Sequence, residues 1–284
     1  MKILRTLGLF VFLSALVLAG PLGADVKAEL GFGWSLIAPA FSTSYLNQFT
    51  PPMTPLSNYV SSSASQTVRL KGKIGYGMSG FFNILVADTA GVQVLVDYFR
   101  PSLGGSNSNF DVTLNYTTTG ARTYTRQGAW PHSRGDFTET TYSLNGLVRF
   151  SLSPELDFSL SGGATAFYLK GEAMPMGFWS FRLEQDAEVY TLFIKTYQLV
   201  YDFGSQTTYG GNLGAELSYT VMRTIILALD VRYFLSSRAN FAMRVTPNEG
   251  LTDPIEPIES ALNLGTIRID PSYLRMGLTL RFRF

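Results

Sequence analysis

The chain of 284 residues contains no cysteine, which excludes a disulfide framework and any thiolate-bound metal centre. Histidine occurs once, as His132. Charge is scarce: Asp, Glu, Lys and Arg make up 15% of the residues, where an ordinary soluble domain devotes about a quarter to them. No run of Lys and Arg marks a nucleic-acid surface, and the net charge of +1 gives no support to a polyanion-binding chain as a whole. Beyond residue 24, no apolar stretch approaches the roughly 20 residues that a membrane-spanning helix needs. What fills the space is aromatic residues at 14% and 27 glycines, among many Ser, Thr and Asn. That mixture suits strands with one apolar and one weakly polar face.

The N-terminal segment has the order of a secretory signal peptide. Lys2 and Arg5 form a positive start, Leu7 to Leu18 an apolar core, and Ala19, Gly20, Gly23 and Ala24 a small-residue end. Residues 1–24 are therefore expected to be a signal peptide, with cleavage after Ala24 or, alternatively, after Ala19. Removing Lys2 and Arg5 from the 22 basic residues leaves 20, against 21 acidic ones.

From residue 26 onward the dominant signal is strict alternation, the period of a strand with two unlike faces. At the C-terminus Leu274, Met276, Leu278, Leu280, Phe282 and Phe284 alternate with Tyr273, Arg275, Gly277, Thr279, Arg281 and Arg283. Val26 to Leu36 repeats the pattern, and so do 68–82, 92–98, 139–152, 155–169, 206–220 and 224–236. These make eight strands. Their joins alternate between short turns, near 85–90, 153–154 and 221–223, and long polar loops, near 38–66, 101–138, 171–205 and 237–270. Such alternation is expected of an all-β, closed, antiparallel up-and-down transmembrane β-barrel with both mature termini in the periplasm. Two further alternating stretches, 179–184 and 188–202, leave a ten-stranded barrel open as the alternative.

The leader, the alternating strands and the terminal Gly277-Leu-Thr-Leu-Arg-Phe-Arg-Phe284 resemble the small outer-membrane barrels of the OmpA/OmpX/OmpW type. The resemblance is one of architecture and terminal motif, without the periplasmic peptidoglycan-binding domain of OmpA. It implies residence in the bacterial outer membrane. It also implies that Leu278, Leu280, Phe282 and Phe284 form the signal read by the barrel-assembly machinery, with periplasmic chaperones as partners before insertion.

In a membrane barrel the apolar face meets lipid and the polar face lines the lumen. The inward set expected on that rule is Lys27, Glu29, Arg69, Lys71, Lys73, Asp97, Arg149, Asp157, Glu216, Asp230, Arg232, Arg275, Arg281 and Arg283. Eight strands leave an interior just wide enough for side chains. An ion-pair network plugging the lumen is therefore expected, because buried charges must find partners. The basic excess of this set, with inward glycines such as Gly31, Gly33, Gly75, Gly77, Gly163 and Gly214, supports the rival reading of a narrow, weakly anion-preferring pore. Trp34, Tyr98, Tyr168 and Tyr233 are expected near strand ends as an interfacial aromatic girdle against outer-membrane lipid and lipopolysaccharide.

Catalysis has little to stand on. His132 lies beside Ser133, and adjacent side chains on an extended chain point apart, so no nucleophile–base pair is expected there. Glu249, Asp253, Glu256 and Glu259 lack the spacing of a Ca²⁺ loop. No catalytic residue, metal site or cofactor is expected. The function expected is structural or surface-interacting; a narrow OmpW-like channel for small or apolar solutes is the alternative, and a rim enzyme acting on lipid or peptide the third.

Overall fold

The computed structural model describes residues 26–49, 59–116, 120–126, 134–186, 189–246 and 266–284. The expected signal peptide, His132, the Pro51–Pro55 stretch and the acidic cluster from Glu249 to Glu259 lie outside them.

Eight strands form the barrel: β1 (Val26–Pro39), β2 (Gly75–Val86), β3 (Ala90–Phe99), β4 (Arg134–Ser151), β5 (Leu156–Asp186), β6 (Gly204–Met222), β7 (Ile225–Ser236) and β8 (Tyr273–Arg283). Each pairs antiparallel with its chain neighbours, and β1 closes the ring on β8, with Leu30 opposite Phe282 and Trp34 opposite Leu278. Closure leaves no barrel edge unpaired.

Three short turns and both ends of the ring lie together at one end, the turn end. In the first turn Ala87 and Asp88 both have positive φ, and the Thr89 amide donates to the Val86 carbonyl. That is the backbone of a tight hairpin turn whose twist matches the flanking strands.

The opposite, loop end carries further strands. The long excursion after β1 forms a hairpin of Ser42–Phe49 and Tyr59–Gly72, and the one after β3 forms Ser102–Tyr116 with Gly120–Arg126. Past Ala173, β5 leaves the ring and pairs with Val189–Asp202. The stretches 179–184 and 188–202 thus extend the barrel upward instead of spanning it, and the ten-stranded alternative is overturned. The segments Ala239–Ala242 and Thr266–Ile269 pair with each other.

Together these pieces raise a second storey on the first. The Ser102–Tyr116 strand pairs with the upper part of β4 through Ser102 and Asp136. Lys71 stands between Gly104 on one neighbouring strand and Ser42 on the other. The Thr266–Ile269 strand lies alongside Ser42–Phe49, and Ala239–Ala242 lies alongside β6.

The two storeys have opposite polarity. Around the lower one Phe32, Trp34, Met78, Leu213, Leu229 and Leu278 are exposed, while Glu29, Asn83, Gln93, Asn145, Arg149 and Arg281 are buried within. In the upper one Phe41, Leu70, Leu103, Phe137, Phe241 and Ile267 are buried within, while Ser42, Arg69, Lys71, Lys170, Asn240 and Arg268 are exposed.

This inversion corrects part of the expected lumen set. Arg69, Lys71 and Lys73 are exposed and not lumenal. The stretch 68–82 is two strands that break at Lys73-Ile74. Its first half belongs to the water-facing storey, where Leu70 points inward and its charged neighbours outward. Its second half keeps the membrane phase, with Tyr76 and Met78 outward.

Candidate functional site: the lumenal network

Glu29, fully buried on β1, is the hub at the turn end. Arg149 of β4 grips it bidentately, its two terminal nitrogens donating to Oε1 and Oε2 at 2.9 and 2.8 Å. From β8, Arg281 donates to Oε2 at 3.1 Å and Arg283 to Oε1 at 3.0 Å, and Asn83 of β2 adds an amide donor at 3.1 Å. Arg281 also reaches Glu216 on β6. Five strands are tied through one carboxylate and its partners.

A layer of amides lies above. Gln93 donates to Asn83 at 3.1 Å, Asn145 donates to Gln93 at 3.0 Å, and Asn212 donates to Asn145 at 2.8 Å. Arg232 completes the circuit from β7, its guanidinium donating to Asn212, to Ser161 and to Gln93. Glycine makes room for this arginine: a Cβ on Gly214, its register partner, would fall 2.7 Å from the guanidinium carbon. Gly31 likewise accommodates the Phe81 ring, which would lie 2.2 Å from a Cβ there. The inward glycines at these positions are covered by large neighbours, so they do not hollow the lumen.

The next layer is ionic again. Arg275 of β8 bridges Asp97 on β3 and Asp230 on β7. Register sets Glu216 opposite Asp230, and Arg232 opposite Arg275.

Directly above, the inward positions turn aromatic on several strands at once: Asp97 gives way to Phe99, Thr165 to Phe167, Arg232 to Phe234 and Arg275 to Tyr273. The Tyr273 ring stacks on Phe234 at 4.3 Å and tilts against Phe99 at 4.7 Å. Beyond them Phe137 packs between Phe41 and Phe241, each 6.1 Å away.

The remaining expected residues sit at the rim. Lys27 pairs with Asp88 in the first turn. Asp157 accepts from the Ser151 hydroxyl at 2.7 Å and lies outside the central circuit. Trp34, Tyr98, Tyr168 and Tyr233 all face outward, but Trp34 stands mid-strand, opposite Met78 and Leu278, and not near a strand end. Leu278 and Phe284 face outward as well.

With Arg69, Lys71 and Lys73 outside, the described lumen holds four buried arginines, Arg149, Arg232, Arg275 and Arg281, and five buried carboxyl residues, Glu29, Asp97, Glu139, Glu216 and Asp230, of which all but Glu139 pair with one of those arginines. The basic excess disappears, and with it the argument for anion preference. The expected inward set also left out Glu139, at the start of the stretch 139–152, and a search for charge passed over the amides Asn83, Gln93, Asn145 and Asn212. Their signal was present, since each occupies the inward phase of its strand.

Chemically the arrangement holds strands together. Every arginine engages at least one carboxylate, and the spare amide groups link the layers. In a low-dielectric interior such a network rigidifies when its members are satisfied. Among the described residues no three His, Cys, Asp or Glu side chains converge as a metal site would require.

No protein-family model and no curated protein sequence matches the chain. Among solved structures it is similar to the outer membrane protein OprG from Pseudomonas aeruginosa, at 10% identity and TM-score 0.46, over 92% of this chain and 97% of that one. It is also similar to Neisserial surface protein A, at 10% identity and TM-score 0.36, over 92% and 99%. The outer membrane protease OmpT from Escherichia coli is a third such structure, at 9% identity and TM-score 0.38, over 93% and 99%.

Proposed function

We propose that the protein is a closed outer-membrane barrel whose lower storey is an anchor and whose upper storey is its working surface. The turn end then lies in the periplasm with both mature termini, and the upper storey projects outside the cell. The observation that carries this reading is the lumenal circuit from Glu29 through Arg149, Arg281 and Glu216, with the Asn83–Gln93–Asn145–Asn212–Arg232 layer above it. Side chains from opposite walls meet in the middle, and the phenylalanine layer lies over them. In the lower storey this leaves little room for water or solutes, as the width of an eight-stranded interior implies. The apolar outer face of the lower storey matches a lipid environment, and the charged outer face of the upper one matches water.

Single-channel recording of the refolded full chain in planar bilayers tests it. The expected result is no steady conductance from protein whose folding is verified by heat-modifiable gel mobility. A steady conductance that Arg232→Glu alters would establish an open lumen and favour a narrow channel.

A second reading, passage of apolar solutes, has the phenylalanine-lined upper interior as its support. It predicts that an apolar fluorophore becomes protected from water by the wild-type protein and not by a variant with Phe137→Ser and Phe241→Ser.

A further inference from the structure

Arg69 and Lys71 share the outward face of the Tyr59–Gly72 strand, and Lys73 follows just below it. Two residues along a strand span roughly 6.5 Å, so the cations form a ladder of like charges. None of the three has an ion pair among the described residues, unlike nearby Arg100, which pairs with Asp136. Their lateral neighbours carry no charge. Lys71 is flanked by Ser42 and Gly104, and Arg69 by Ser44 and Ser106. Gly104 also leaves space for the Lys73 stem, whose Nζ would lie 3.0 Å from a Cβ on that glycine. Lys73 is thereby laid across the neighbouring strand toward Lys71. A row of like charges with no ion pair among the described residues repels itself, and an anionic partner would relieve that repulsion.

The height of the ladder identifies the partner. Ile74, just before β2, and Tyr76, within it, are 73% and 82% exposed and are the uppermost outward apolar residues there, and Tyr98 lies beside them on β3. Outward aromatics mark the level of lipid headgroups, and cations just above that level meet headgroup phosphates.

We infer that Arg69, Lys71 and Lys73 form a docking site for a phosphorylated glycolipid of the outer leaflet, the phosphates of lipopolysaccharide being the groups bound. The inference rests on the orientation proposed above. Among the described residues of the loop end, the other exposed cations, Arg100, Lys170, Arg238, Arg244 and Arg268, each stand on a different strand or join and do not form such a row.

The test is a titration of the refolded full chain in detergent with intact and enzymatically dephosphorylated lipopolysaccharide, at low and high salt. The intact lipid is expected to bind in a salt-sensitive manner. A triple variant with Arg69→Gln, Lys71→Gln and Lys73→Gln should bind roughly a hundredfold more weakly, since each cation near a phosphate-bearing surface contributes about fivefold. A control carrying Lys170→Gln and Arg268→Gln should stay within about twofold of wild type, because an isolated exposed charge contributes little. Equal binding of the dephosphorylated lipid, an unaffected triple variant or an equally affected control would each overturn the inference. Competition by inorganic pyrophosphate as strong as by the intact lipid would also overturn it, by making the ligand a soluble phosphate. A conducting lumen would defeat the proposed function and leave this result unchanged.

Discussion

The lower and upper storeys share strands yet obey opposite rules of burial. Inside the lower ring, charge and amides are buried and leucines face out; inside the upper ring, phenylalanines are buried and arginines face out. The reversal follows from solvent. Where lipid surrounds the ring the hydrophobic effect does not drive apolar side chains inward, and polar groups collect where they can bond one another. Where water surrounds it, burial of apolar area governs, as in any soluble β-barrel. Strands such as β3 and β8 carry both regimes, switching at Asp97 to Phe99 and at Arg275 to Tyr273 while their side-chain phase is unchanged.

Substitutions can break that comparison at its strongest points. Glu29→Gln leaves Arg149 and Arg281 buried without their shared counter-charge, a loss of about 3–5 kcal/mol. The measurement is urea unfolding in lipid vesicles, followed by tryptophan fluorescence. Phe137→Ala removes the ring between Phe41 and Phe241, and truncations of this kind cost about 3–5 kcal/mol. Here the loss should be confined to the upper storey. Limited proteolysis should cut the loop-end strands faster while heat-modifiable mobility of the barrel persists.

A matched pair probes the outer faces. Leu229→Arg puts a cation on the lipid side of the lower ring, opposite Leu217 and Leu278, and should cost about 2–4 kcal/mol in the same unfolding assay. Arg268→Leu makes the reverse change on the upper ring and should move stability by no more than about 0.5 kcal/mol. Equal costs for the two would mean that both rings face the same solvent.

A second small effect belongs to the turn. Ala87→Gly relieves a side chain held at φ 51 and should change stability by less than about 1 kcal/mol in the stabilising direction.

Much of the lower ring was legible from alternation alone, because lipid on one side and packed polar groups on the other impose a period of two along each spanning strand. The eight strands, the short turns and most of the ionic residues follow from that. Arg69, Lys71 and Lys73 were assigned to the wrong side because periodicity reports that two faces differ, not which solvent each meets. The break at Lys73-Ile74 is a change of strand that an uninterrupted alternating pattern conceals. The amide layer was overlooked for another reason: Asn and Gln bond as well as charges do in a dry lumen, yet they do not stand out in a search for ions.

By itself, then, the chain's alternation determined which residues share a face within each spanning strand, since that depends only on local strand geometry, while it left the choice between eight and ten crossings open. Tertiary structure alone decided which arginine meets which carboxylate. Arg281 and Glu29 are 252 residues apart, and only ring closure brings β1 and β8 side by side. It also decided where the polarity reverses, because that boundary depends on which strands rise above the ring and into water.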